Sequence, residues 1–337
     1  MAMPIDEGEI GETPLVRFDG VGEPAGARIY AKVEWFNLYS TPYGGGSVKS
    51  RPALYMIDAA ERSGDLTRDR TVIEPTSGNT GSEIAKIARN RGYEVLIVMP
   101  DNAGQGKKDT VRETGAEIEY TDALDGYDAV IERAHEIVES DPDSYYMPDQ
   151  YSNPNNPRAH VETTAAEIWS QTDGEVTAFV AGVGTGGTVT GCGRGLRERS
   201  KDVDVYAVEP DDELHAIDGL KYMREGDHIV PEIYDRSVPD DVLYVSTDDS
   251  YDRARELRER YREDDPEVVD AGQHGDVLED VLRVDGDFLV GTSTGTNLEA
   301  AVRVAERSDE DEPVVVTMAC DRGDKYENSL WRDLLEG

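Results

Sequence analysis

Short runs of Val, Ile, Leu and Ala alternate along this chain with stretches whose apolar positions recur every three or four residues. The runs predict strands over 28–33, 71–74, 94–99, 117–120, 178–182, 203–208, 288–290 and 314–318. Several are continuous apolar blocks, which suits strands covered on both faces of a parallel sheet. The helical periodicity predicts helices over 51–63, 82–91, 127–140, 159–171 and 188–199. A strand followed by a helix, over and over, predicts an α/β protein with open, mostly parallel sheets flanked by helices. No internal repeat interrupts the alternation. The Pro- and Asn-rich stretch 149–157 is the boundary candidate, dividing the strand-helix units into two groups.

Composition narrows the class. The chain has 337 residues, a length that suggests about two domains. Its net charge of −38 repels phosphate backbones and anionic lipid, so nucleic acid and membrane surfaces are excluded as expected partners. No apolar run approaches the roughly 18 residues of a membrane span, and no leader precedes Glu7, so a cytoplasmic protein is expected. Two cysteines, Cys192 and Cys320, form no C-x-x-C pair, and the five histidines lack ligand spacing, so no metal site is expected. Of the 34 basic residues only 8 are Lys. A carboxylate-coated, lysine-poor surface points to a high-salt, halophilic setting, where screening relieves self-repulsion.

Three strand-to-helix junctions carry candidate chemistry. Gly44-Gly45-Gly46-Ser47-Val48-Lys49 places a lysine at a helix start after a glycine run. The positive helix end disfavours an ammonium and pushes Lys49 toward the neutral amine that attacks carbonyls. Thr76-Ser77-Gly78-Asn79-Thr80 offers hydroxyls, an amide and backbone N–H groups to a carboxylate; a plain capped turn is the other reading. Gly182-Val183-Gly184-Thr185-Gly186-Gly187-Thr188 lets consecutive N–H groups face a phosphate. It also contains G-x-G-x-x-G, with Glu209 ending the next strand, so an NAD-dependent dehydrogenase is a competing reading. Gly291-Thr292-Ser293-Thr294-Gly295 is a fourth such junction.

In this order, the four motifs resemble those of the cysteine synthase/cystathionine β-synthase family, pyridoxal-phosphate enzymes of the tryptophan-synthase-β fold. The resemblance runs from Gly11-Glu12-Thr13-Pro14 through Gln150-Tyr151-Ser152-Asn153-Pro154 and 219–235 to Asp321 and Tyr326. It implies pyridoxal 5'-phosphate as cofactor and Lys49 as the Schiff-base lysine and α-proton base. It further implies Asn79 at the cofactor's 3-hydroxyl oxygen, Gly184, Thr185, Gly186, Gly187 and Thr188 at its phosphate, and Ser293 at its pyridine nitrogen. Thr76, Ser77, Thr80 and Gln150 would take the substrate carboxylate. A neutral serine at the ring nitrogen limits electron withdrawal into the ring, which favours loss of a β-substituent.

The resemblance also implies a smaller, substrate-closing domain, 39–157, and a larger cofactor-holding one, 8–38 with 158–337, assembled as a homodimer. The implied reaction makes L-cysteine from an O-activated serine, O-acetylserine or O-phosphoserine, and sulfide. Condensation of serine with homocysteine is the alternative. Lys221 matches a basic position of phosphoserine-using relatives and is the candidate contact to a phosphate leaving group. The chain departs from the family pattern at Ser50, across 38–46, at Gly104-Gln105-Gly106-Lys107-Lys108, and in about twenty extra residues, 263–284. The first and third departures open a further reading, a cofactor-holding protein without turnover.

Overall fold

The computed structural model describes residues 4–41, 43, 45–224, 230–326 and 329–332; Gly44 and residues 225–229, parts of the stretches read above, lie outside them. Eleven strands are found among the described residues. In chain order they are β1 (Leu15–Phe18), β2 (Arg28–Val33), β3 (Thr71–Pro75), β4 (Val95–Pro100), β5 (Glu117–Thr121) and β6 (Tyr145–Tyr146). They continue with β7 (Ala178–Gly182), β8 (Asp204–Pro210), β9 (Asp241–Val245), β10 (Glu267–Asp270) and β11 (Val314–Ala319).

The strands form two sheets. One has the order β10-β1-β2-β11-β7-β8-β9, the other β5-β4-β3-β6. The four-stranded sheet is parallel throughout. In the larger sheet only β1 runs against its neighbours β2 and β10. Six buried residues make up β11 at the middle of that sheet, as the unbroken Val-rich run required.

Most predicted elements form, and the differences have physical causes. Residues 288–290 do not make a strand; the chain there is buried and makes a single bridge from Val290 to Arg322. Phe288 instead completes an aromatic group with Phe18, Trp35 and Tyr261 at centroid distances of 5.5–6.2 Å. A short apolar run cannot separate a core strand from core coil. The extra segment contains β10, which pairs with β1 and covers that sheet edge. Its Gln273 donates to the Gly8 and Gly11 carbonyls, so the insertion also clamps the N-terminal loop.

The helix predicted over 159–171 begins earlier, at Asn155, and carries a π-turn at His160–Thr164. The helix Gly187–Arg199 packs on it through Gly191 and Gly195. A Cβ on Gly191 would lie 2.3 Å from the Pro157 carbonyl oxygen, and one on Gly195 would lie 2.6 Å from the Ala165 Cβ. These glycines cost helix propensity, but they let two helices approach to backbone contact beside the glycine loop.

Candidate active site

In parallel sheets the loops at the carboxyl ends of the strands are where ligands bind, and here both sheets point those ends at one cleft. The loop after β3 brings Thr76 to Thr80, and the loop after β7 brings Gly182 to Thr188. The chain after β11 brings Cys320 to the cavity and, behind it, Asp321 to Asn79. Lys49 arrives just before the helix Ser50–Ser63, held there because the Val48 N–H donates to the Cys320 carbonyl at 2.9 Å.

The inner cavity is lined by Lys49, Asn79, Gly184, Thr185, Gly186, Thr188 and Ser293. The outer cleft is continuous with it and is lined by Thr76, Ser77, Thr80, Gln150 and Lys221. Of the residues the resemblance assigns to cofactor or substrate, Gly187 alone lines neither. Its N–H lies 3.4 Å from the Thr185 Oγ1, and a Cβ there would strike Asn156.

Lys49 sits in a desolvated corner. Burial pushes its ammonium below the usual lysine range, opposed by Cys320, Asp321 and Glu34. The direction agrees with the sequence argument, but the leading cause is burial rather than the helix end. Cys320 is affected in the opposite sense, its thiol pushed up to about 11 by burial.

Asn79 opens the helix Asn79–Asn90, three residues before the predicted start. Its Nδ2 donates to Asp321 Oδ2 at 2.7 Å, and its Oδ1 accepts from Lys325 Nζ at 3.3 Å. Thr80 Oγ1 donates to Gln150 Oε1 at 2.6 Å, joining two of the predicted carboxylate ligands directly. Glu74 accepts the Gln150 and Asp149 N–H groups, so a buried carboxyl fixes the floor of that loop.

The glycine loop is built to be narrow. A Cβ on Gly184 would lie 2.0 Å from the Gly219 carbonyl oxygen, and Gly186 takes φ of +81° as the cap of its helix. Thr188 Oγ1 meets His160 Nε2 at 3.3 Å, and His160 Nδ1 meets Thr164 Oγ1 at 2.9 Å. The π-turn therefore stands behind the loop; π-turns recur beside functional sites. Asn297 ties the cavity floor together, accepting from the Gly182 N–H at 2.8 Å and donating to the Met318 carbonyl at 2.8 Å.

This donor set fits a phosphate-bearing aromatic aldehyde. A glycine cradle too tight for any Cβ, at the mouth of a helix, can hold a dianion on backbone N–H groups. A desolvated lysine can bond a carbonyl carbon. Ser293 faces the cavity as a neutral hydroxyl, 6% exposed.

The dehydrogenase reading loses its acid. Glu209 is buried, accepts the Met223 N–H at 3.2 Å and lines neither cavity.

Sequence reasoning did not reach Lys107, Asp218 or Tyr326 as cavity-lining groups. Nor did it reach Tyr127 and Tyr151, whose rings lie 5.7 and 5.0 Å from Lys221 Nζ. The signals were the departure at Gly104–Lys108, which marks a difference without saying where it points, and the resemblance at Tyr151 and Tyr326, which assigned them no role. Ser50, another of the four departures, is buried and donates to Glu83 Oε2 at 2.7 Å.

Sheet ends that deliver a desolvated lysine, a Thr-Ser-Gly-Asn-Thr loop and a glycine cradle to one cleft define a pyridoxal-phosphate-dependent enzyme. Residues 7–321 match the family described as "Pyridoxal-phosphate dependent enzyme". The chain is 37% identical over 322 residues to a cysteine synthase of Aquifex aeolicus, covering 94% of this chain and 88% of that one. A cysteine synthase structure from Entamoeba histolytica superposes with a TM-score of 0.80 at 30% identity, covering 96% and 89% of the two chains. An O-acetylserine-dependent cystathionine β-synthase from Helicobacter pylori gives 0.79 at 29% identity, covering 98% of each. The chain belongs to the cysteine synthase/cystathionine β-synthase family, and its cofactor is pyridoxal 5'-phosphate.

Proposed function

We propose that this enzyme forms L-cysteine by β-replacement, from an O-activated serine and sulfide. The observation that carries the reading is the joining of the two cavities, with Lys49 and Asn79 lining both. The bound cofactor supplies an electron sink that acidifies the α-carbon of an amino acid. In this reading Lys49 anchors the cofactor and then takes the α-proton at Nζ, a task suited to an amine whose charged form burial disfavours. Thr76, Ser77, Thr80 and Gln150 hold the substrate carboxylate, which orients the α-carbon toward Lys49. Gly184 to Thr188 hold the phosphate, Asn79 the 3-hydroxyl oxygen, and Ser293 the pyridine nitrogen.

Residues 39–157 act as the smaller part that closes over substrate against the larger part, 8–38 with 158–337. Two copies of the chain form the working dimer. Lys221 lines the outer cleft beside Tyr127 and Tyr151 and favours O-phosphoserine as a donor alongside O-acetylserine.

Similarity to the Helicobacter pylori enzyme supports a second reading, condensation with homocysteine to give cystathionine. The test is product analysis in high salt. O-acetylserine, O-phosphoserine and serine are each offered with sulfide or homocysteine. Cysteine from an activated serine and sulfide is the expected product. Cystathionine as the sole product would replace the reading with the second one.

A further inference from the structure

Lysine is scarce in this chain, yet one of the eight, in the segment 104–108 that departs from the family pattern, is buried at the reaction cavity. Lys107 is 5% exposed and lines the inner cavity with Lys49, Asn79 and Ser293. It comes from the helix Gln105–Glu113. Its Nζ lies 3.0 Å from Asp218 Oδ1 and 5.3 Å from the centre of the Tyr326 ring. A Cβ on Gly78, in the middle of the Thr76–Thr80 loop, would be 3.9 Å from the same nitrogen. The ammonium therefore faces the place where the reacting part of a substrate would sit.

Its ion pair is unequal. The Lys107 side chain is 6% exposed and the Asp218 side chain 45%. A carboxylate that exposed can give up its partner to water at little cost, whereas a buried ammonium needs an anion beside it. A small anion entering the cavity can thus take the place of Asp218. Anions also have reason to need such a site. Asp125, Asp128, Glu213 and Asp218 line the approach, and the chain carries −38 charges, so an anion enters against an unfavourable field. Hydrosulfide is an anion whichever serine ester serves as donor.

We propose that Lys107 is the binding residue for the sulfur nucleophile, its ammonium holding HS⁻ in the inner cavity in place of Asp218. The inference rests on the cysteine-forming reading above.

The test combines kinetics of the holoenzyme with bromide as a probe anion. Lys107→Met should raise KM for sulfide by about tenfold or more, with donor kcat/KM changed by less than about threefold. Lys107→Arg should restore most of the sulfide affinity, and Asp218→Asn should lower KM for sulfide. In the wild type, bromide should compete with sulfide and give an anomalous scattering peak in contact with Nζ, lost in Lys107→Met. An unchanged sulfide KM in Lys107→Met overturns the proposal, and so does a cavity without bromide at Lys107. If the wild type consumes no sulfide with any activated serine, the cysteine-forming reading fails instead, and the bromide peak alone decides whether Lys107 is an anion site.

Discussion

Asn79 Nδ2 donates to Asp321 Oδ2 at 2.7 Å, and this one bond joins the two sheets at the reaction cavity. Asn79 begins the helix that follows the four-stranded sheet's β3, and Asp321 follows the central strand of the seven-stranded sheet. The same carboxylate oxygen accepts the Tyr326 hydroxyl at 2.6 Å. One residue earlier, Cys320 holds Val48 and with it Lys49. The groups proposed to meet the cofactor's aldehyde end are thus positioned from one short segment.

Lys49→Ala should abolish both turnover and the borohydride-sensitive visible absorbance of the holoenzyme. Among the described residues Lys107 also lines the inner cavity, but it comes from a different element, the helix Gln105–Glu113, and is proposed above to hold the nucleophile rather than the cofactor. Turnover together with bleachable absorbance in the variant would remove Lys49 from its proposed role.

Gly184→Ala should weaken cofactor binding more than it weakens the fold. Its Cβ would lie 2.0 Å from the Gly219 carbonyl oxygen, a backbone atom that must shift with its loop. Titration of the apo-protein with pyridoxal phosphate, followed by absorbance, checks this. An unaltered cofactor Kd would show that the loop does not hold the phosphate.

Lys221→Ala should separate the two donors. Charge-assisted bonds to phosphate are worth about 1.5–3 kcal/mol each, and an acetyl ester offers no such charge. A loss of roughly tenfold in kcat/KM is expected on O-phosphoserine, about 1.4 kcal/mol, with a small change on O-acetylserine. Equal losses on both donors would leave acetylserine as the default substrate.

Glu74 links stability to pH. Burial pushes its carboxyl up to about 8, against the N–H groups of Gln150 and Asp149 that favour the charged form. Above the ordinary carboxyl range and up to about 8 the folded chain holds a proton that the unfolded chain has lost. Stability from this group therefore falls as pH rises through that window, by at most ~1.4 kcal/mol per pH unit, and levels off above it. Glu74→Gln stays neutral, so wild type should lose stability relative to it as the pH is raised. Urea unfolding of both proteins at constant salt measures the difference, and a pH-independent gap would sink the assignment.

Molar salt should raise Tm. With −38 charges on 337 residues, screening weakens repulsion that opposes the compact state. Thermal unfolding from dilute to molar potassium chloride is the measurement, and a flat Tm would count against the halophilic reading.

Much of the architecture was legible in the chain because burial on both faces leaves an unmistakable mark. The Val-rich run 314–318 sits at the centre of a sheet, buried on both faces, and its one polar side chain, Thr317, donates to the Val180 carbonyl. The edge strands β9 and β10 carry mixed burial and β1 is only four residues long, so their patterns are weak. The run 288–290 has a core-strand pattern, yet its hydrogen-bond partners were never encoded locally. Aromatic packing around Phe288 decided its shape.

Lys49, the Thr76–Thr80 loop and the glycine loop were visible because their chemistry depends on neighbours in sequence: glycines beside a lysine, hydroxyls beside a helix start. Lys107 and Asp218 are 111 residues apart, as Asn79 and Asp321 are 242 apart. No local pattern relates such pairs, because side chains that far apart meet only when the two sheets pack together. The sequence alone determined the kinds of groups available and the strand-helix units that carry them. Which buried charge faces the cavity, and which carboxylate opposes it, is decided by the packing of one sheet against the other. That packing also sets how far each charge is removed from water, and so how strongly it requires a partner.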